Sequence, residues 1–237
     1  MTDQTPSHPG DQAAQRDPGF ASTSSSVFGR DVSYIDAVYG FAATLLISNV
    51  DAPPAKAWQS WDALVASGLP TQVLGFVLSF TVIAVFWRLN VRLTHSMKGW
   101  DTVTTILNLV AAASVVFFAF TTQGISDPRS NDLPLPTVLY AANVIVVSLC
   151  MTAMYQLARA RGLLRHPTSR RRNLLDLAAA LVTPVVFLVS IPVALTWGAV
   201  PGRLSWATLI VISPIIGIVA ARSQDAPSAT STQLPPS

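Results

Sequence analysis

The sequence predicts an all-α membrane protein with six transmembrane helices. Three observations carry this: too few charges for a water-soluble surface, six long apolar runs between polar tails, and basic residues gathered on alternate connections. Of 237 residues, 51% are hydrophobic and 11% charged, whereas a soluble domain carries about 25% charged residues. All twelve acidic residues are Asp, so the Glu/Lys-rich faces that solubilise helical proteins are missing. The formal charge of +3 does not come from a basic stripe mixed with aromatics, which argues against a nucleic-acid partner. Cys150 is the only cysteine and lies in an apolar run; it reads as a buried, inert thiol.

Residues 1–29 are rich in Ser, Pro, Gly, Asp and Gln and lack an apolar block. They are expected to form a disordered cytoplasmic tail rather than a cleaved signal peptide. Residues 30–221 form the six-helix membrane domain, and residues 222–237 a second disordered cytoplasmic tail. The six runs fall near 32–50, 71–92, 100–122, 135–158, 174–197 and 204–221, each close to the length needed to cross about 30 Å of hydrocarbon. Turn chemistry separates them: Asp51-Ala52-Pro53-Pro54, Ser67-Gly68-Leu69-Pro70, Asp127-Pro128, Pro134-Leu135-Pro136, Arg165-His166-Pro167 and Pro201-Gly202. Between the first two runs, Ala57 to Ala66 reads as a short amphipathic helix on the outer surface, with Trp58 and Trp61 in the interface.

Of the fifteen Lys and Arg residues, twelve fall on the tails and even-numbered connections, and three, Lys56, Arg129 and Arg203, on the others. Positive flanks resist translocation, so both termini are expected in the cytoplasm of a multi-pass cell-membrane protein. Trp58, Trp61, Trp100, Trp197 and Trp206 fall near span ends, as interfacial aromatics do. Arg170-Arg171-Arg172 serves topology, with anionic lipid binding as the alternative.

The chain offers little for an enzyme. His8, His95 and His166 are dispersed, and no Cys pair supplies thiolates, so neither a metal site nor a cofactor is expected. The informative run is the first. Asp36 is costly within a span; it either reaches water at the cytoplasmic end or has a partner. At about 100° per residue, Ala37, Phe41, Thr44 and Ser48 share a sector about 60° wide, and Asp36, Gly40, Ala43 and Ile47 form a stripe about 100° away. The small residues of the second stripe suit close helix packing. The first suits either packing or a narrow aqueous path, and periodicity alone favours packing.

The run Arg30-Asp31-Val32-Ser33-Tyr34-Ile35-Asp36 resembles the Arg-x-x-x-Phe-Ser-Asp signature of the transmembrane protein 175 family of potassium channels, with Tyr34 for Phe and Ile35 for Ser. The likeness continues through Ala43-Thr44-Leu45-Leu46, Ser79 to Trp87, Leu107-Asn108-Leu109, Phe120-Thr121-Thr122, Tyr140 and Asn143. It departs at Asn90 and Val91, where the family often has histidines, and at Ala119, where it has Pro.

The resemblance implies a homotetramer of six-span subunits whose first helices line a central pore, with no re-entrant filter loop. Counted from the signature Asp, the constriction falls at Phe41 and a hydroxyl ring at Thr44, with Ala37 and Ser48 also lining the pore. These lie on the stripe isolated by periodicity, and that agreement turns the preference from packing to pore. Arg30, Asp36, Trp87 and Asn108 are expected to form a structural polar network behind it. The implied function is passive, potassium-preferring conduction, with potassium as the permeant ion and membrane lipid as the surroundings. The alternative is a secondary transporter or a proton-leak pathway. A transporter would want helix-breaking pairs in both halves, yet Thr183-Pro184 and Ile191-Pro192 in the fifth run have no counterpart in the first half.

Overall fold

The computed structural model describes residues 21–22, 25–166 and 169–209. Among them are seven α-helices: α1 (Ser26–Leu45), α2 (Trp61–Ala66), α3 (Leu69–Ser96), α4 (Thr102–Ser126), α5 (Pro134–Ala160), α6 (Arg170–Trp197) and α7 (Ala199–Leu204). A two-stranded ribbon pairs β1 (Ala21–Ser22) with β2 (Gly99–Trp100). Helices α3, α4, α5 and α6 are long and apolar enough to cross a membrane. Helix α1 carries Arg30, Asp31 and Asp36 within 20 residues and is not one of those four; the 3-10 turn Leu46–Asn49 extends it to the end of the first apolar run. The sixth run, 204–221, lies mostly outside the described residues.

Ordered structure begins before residue 30, the boundary expected for the tail. Ser25 caps α1 by accepting from the Phe28 amide at 3.2 Å, and β1 pairs with β2 in the α3–α4 connection. That connection also pairs with the one after α5: the Lys98 amide donates to the Leu163 carbonyl at 2.7 Å and the Arg165 amide to the Ser96 carbonyl at 2.9 Å. Asp101, 2% exposed, caps α4 through the Thr104 amide at 2.8 Å and forms an ion pair with Arg161. Trp100, expected at the membrane interface, is instead 1% exposed and packs edge-on against Phe28 at 5.0 Å. Its place in the ribbon carries it inward. Trp58 and Trp61 are exposed beside the short α2.

The bundle interior is joined by a chain of rings. Phe86 of α3 stacks on Phe118 of α4, Phe118 meets Tyr140 of α5, Tyr140 stacks on Trp206, and Trp206 meets Phe187 of α6, with centroids 5.0 to 6.2 Å apart. Trp206 is therefore a core residue rather than the interfacial one expected, because the chain turns back across the bundle after Gly198. The outward faces of α3, α4 and α6 carry Leu74, Phe80, Phe117, Phe120, Leu188 and Leu195 in the open, the pattern of helices solvated by lipid. Helix α6 runs unbroken through Pro184 and Pro192, as membrane helices tolerate.

At the opposite end of the bundle from the ribbon, Arg203 of α7 ties the last turn together. It donates to the Ile125 carbonyl near the end of α4 at 2.9 Å and to the Asn131 carbonyl at 2.6 Å. Burial lowers its pKa from the ordinary guanidinium value, and the Asp132 carboxylate opposes that shift.

Helices α3 and α4 meet closely where Gly75 faces Ser126: a Cβ at Gly75 would stand 2.5 Å from the Ser126 Cβ. Gly75→Val should therefore destabilise the purified protein by about 1–3 kcal/mol, read as a lowered thermal midpoint in detergent. Ser126→Gly should partly restore a Gly75→Ala variant. An unchanged midpoint in Gly75→Val would refute this close contact.

Candidate functional site

Two faces of α1 meet different surroundings. Ile35, Tyr39, Ala42 and Leu46 are 0 to 3% exposed and pack into the hydrophobic core. Ala37, Phe41, Thr44 and Ser48 all lie exposed, Phe41 at 63%. At 100° per residue the centres of the two sets are about 160° apart, so one face is anchored within the helix bundle and the other points away from it. Leu45, between the two faces, is half-buried.

The hydroxyls on the outward face are tied to their own helix. Thr44 Oγ1 donates to the Phe41 carbonyl at 2.8 Å and Ser48 Oγ to the Leu45 carbonyl at 2.6 Å. A hydroxyl whose proton is committed to the backbone keeps its oxygen lone pairs for an outside partner. The face therefore presents acceptors beside an apolar ring, a surface suited to a partly dehydrated cation.

Behind this face, Trp87 Nε1 of α3 donates to Asp36 Oδ1 at 2.9 Å. Trp87 is 40% exposed and Asp36 half-buried. Asn108, 1% exposed, does not share this acceptor: its Oδ1 accepts from Asn90 Nδ2 at 2.7 Å, and the same Asn90 nitrogen reaches Met151 Sδ at 3.8 Å. Arg30 lies exposed on α1 and bonds to none of Asp36, Trp87 and Asn108. In place of one network of four residues there is an Asp36–Trp87 pair and a separate Asn90–Asn108 pair. The reason is position: Asn90, one turn beyond Trp87 on α3, is the nearer partner for a side chain from α4. Asn90 was visible in the sequence only as a departure from the expected histidines.

Further along the bundle, Thr122 Oγ1 donates to Ser79 Oγ at 2.6 Å, and Ser79 Oγ lies 3.2 Å from Tyr140 Oη. These groups join α3, α4 and α5 beside the aromatic chain. Asn143 Nδ2 donates to the Ser114 carbonyl at 2.9 Å. Among the described residues no group of three or more His, Cys or Asp could hold a metal.

Residues 30–118 match the profile of the family described as the endosomal/lysosomal potassium channel TMEM175. Over that segment the chain resembles the TMEM175 family. The family is one of ion channels. The chain is 26% identical over 121 residues to the Homo sapiens protein named endosomal/lysosomal proton channel TMEM175, and 25% over 131 residues to the Danio rerio protein of the same name. These matches take in 51% and 55% of this chain but 23% and 24% of those relatives, so the TMEM175 segment aligns with about a quarter of each.

Two solved TMEM175 structures share its fold at 20% identity. A lysosomal potassium-selective channel homolog from Chamaesiphon minutus has a TM-score of 0.63, covering 83% of this chain and 99% of that one. A variant of the potassium channel MtTMEM175, held with a nanobody fusion, has a TM-score of 0.56 and covers 89% and 98%. The chain is thus a multi-pass membrane protein that shares the fold of these two structures.

A double-mutant cycle of Asp36→Asn and Trp87→Phe should show a coupling of about 1 kcal/mol, since a hydrogen bond to a charged acceptor is worth about 1.5–3 kcal/mol and partial exposure reduces it. Thermal unfolding of the four proteins reads it. Strict additivity would show that Asp36 is solvated and the bond carries no weight.

Proposed function

We propose that the chain forms a passive, potassium-preferring cation channel in the cell membrane. Four copies surround one axis, and the outward face of α1 from each lines the pore. One observation carries this reading: on α1, Ala37, Phe41, Thr44 and Ser48 are left uncovered while the opposite face is anchored in the bundle. Two exposed hydroxyls and a phenyl ring on one stripe suit water and ions better than lipid alone. The TMEM175 relatives of known structure are named as potassium channels, which fits an ion path built this way.

In this reading a ring of four Phe41 side chains forms the constriction. Such a ring is too apolar to hold a continuous water column, and an ion crossing it must shed hydration that the ring does not replace. Thr44, close to one turn further along, supplies oxygens that replace part of that shell. No re-entrant filter loop is required. The Asp36–Trp87 pair acts behind the pore by holding α1 in rotation. The sixth span completes each subunit, and both termini face the cytoplasm, as the twelve-to-three division of basic residues implies.

Labelling of single-cysteine variants in intact cells, made after replacing Cys150, tests the orientation. Ser60→Cys should react with an impermeant thiol reagent outside, and Thr168→Cys only after permeabilisation. The reverse pattern overturns it.

Purified protein reconstituted into vesicles should carry potassium down its gradient at channel rates. Phe41→Asn should raise the conductance and weaken discrimination among cations, whereas Thr44→Ala should mainly reduce the preference for potassium. Leu45→Asn, between the two faces, should matter less. If Leu45→Asn opens the path and Phe41→Asn does not, the constriction belongs to another stripe. Because the curated relatives are named proton channels, the same vesicles should also be given a proton gradient. Flux of protons without potassium would overturn the potassium reading, and flux against a gradient would favour a transporter.

A further inference from the structure

At the end of the bundle that carries the ribbon, a cavity of about 230 Å³ opens between the first half of α1 and the last half of α3. One wall is apolar, made by Phe28 and Val32 of α1. Asp36 also lines it; its Oδ1 is taken by Trp87, and its Oδ2 makes no hydrogen bond among the described residues. Across from it are Thr94 and His95 of α3. Thr94 is 6% exposed, and its Oγ1 has no hydrogen-bond partner among the described residues. Arg165, from the connection after α5, closes the group. Its Nε is fixed on the Met97 carbonyl at 3.0 Å, which leaves its terminal amines for a ligand.

His95 aside, this lining has one positive and one negative group, set among neutral donors and acceptors. A simple anion would meet Asp36, and a simple cation would meet Arg165; each pays for a like charge in a partly desolvated place. A ligand carrying both charges meets neither cost. The volume lies below the range of about 300–1,000 Å³ that takes drug-sized molecules, which suits a small head rather than a whole one. The apolar wall suits the start of an alkyl chain.

We propose that this cavity binds an ammonium–phosphate zwitterion, supplied as the headgroup of an ethanolamine phospholipid from the cytoplasmic leaflet. The ammonium pairs with Asp36 Oδ2, the phosphate takes hydrogen bonds from Arg165 and Thr94, and the glycerol end lies along Phe28 and Val32. A choline headgroup offers no N–H to Asp36, and a glycerol headgroup offers no cation, so both fit less well. The assignment to that leaflet rests on the orientation given above. Bound there, the lipid would wedge the inner end of α1 against α3.

Native mass spectrometry of the full-length protein, released from detergent with equal amounts of phosphatidylethanolamine, phosphatidylcholine and phosphatidylglycerol, tests this. Phosphatidylethanolamine should be retained roughly tenfold over either competitor, the factor that one charge-assisted contact supplies. Thr94→Val, which is nearly isosteric, and Arg165→Gln should each lower the retention of all three lipids, which share the phosphate, Arg165→Lys should restore part of it, and Asp36→Asn should abolish the preference for phosphatidylethanolamine. Thermal midpoints without lipid identify any variant that fails to fold, in which case Thr94→Val decides. Equal retention of the three lipids, preference for phosphatidylglycerol, unchanged retention in Thr94→Val, or unchanged preference in a folded Asp36→Asn overturns the proposal. Binding of soluble phosphoethanolamine without retention of its lipid overturns the lipid source. Potassium flux of the unaltered protein, measured in phosphatidylcholine vesicles, reports separately on the channel reading.

Discussion

The rotation of α1 about its own axis satisfies two demands at once, burial of Ile35, Tyr39, Ala42 and Leu46 and the hydrogen bond from Trp87 to Asp36, and the arrangement of the candidate site follows from that rotation. A carboxylate within an apolar run has few low-energy positions. Placing it toward α3 leaves Ile35, Tyr39, Ala42 and Leu46 to fill the core and turns Ala37, Phe41, Thr44 and Ser48 outward. The polar contact and the buried apolar face thus agree on one rotation of α1. A rotation of α1 by a single residue, about 100°, would move Asp36 off its partner and carry Tyr39 out of the core.

The same constraint governs the interior of α3, α4 and α5. Lipid satisfies no N–H or hydroxyl, so several polar side chains are matched within the protein, while others, Asn108 Nδ2 and Thr94 Oγ1 among them, have no partner among the described residues. Asn90 meets Asn108, Thr122 meets Ser79, and Ser79 lies against Tyr140. Apolar packing among helices is poorly directional when the surroundings are equally apolar. These matched pairs, with the ring sequence from Phe86 to Phe187, supply the registry that hydrophobicity alone leaves loose.

Much of this could be read from the sequence, and the limits are physical. Long apolar runs report spans because the backbone must close its hydrogen bonds within each helix, so α3 to α6 fall where hydropathy puts them. The two stripes of α1 were readable from periodicity, and its exposed side takes in the first whole, together with Gly40 and Ile47 of the second, which had suited packing. Which residue pairs with which was not readable: Asn90 competes with Asp36 for Asn108 through a distance that no pattern encodes. Trp100 and Trp206 misled for a similar reason, since an aromatic at a span end can face the interface or fold inward, and only the connecting backbone decides. Ser25 as the cap of α1 and the ribbon at Ala21–Ser22 were hidden in a stretch whose composition reads as tail.

Arg203 bears on how the protein is made. It satisfies carbonyls that precede it by 78 and 72 residues, and chains are synthesised from the N-terminus at a finite rate. Until α7 emerges, the carbonyls of Ile125, near the end of α4, and of Asn131, in the connection after it, lack the guanidinium that pairs with them. A chain cut short after α6 would hold most of its apolar spans yet present those unfilled carbonyls. Such exposed acceptors are a chemical mark by which an unfinished chain differs from a finished one.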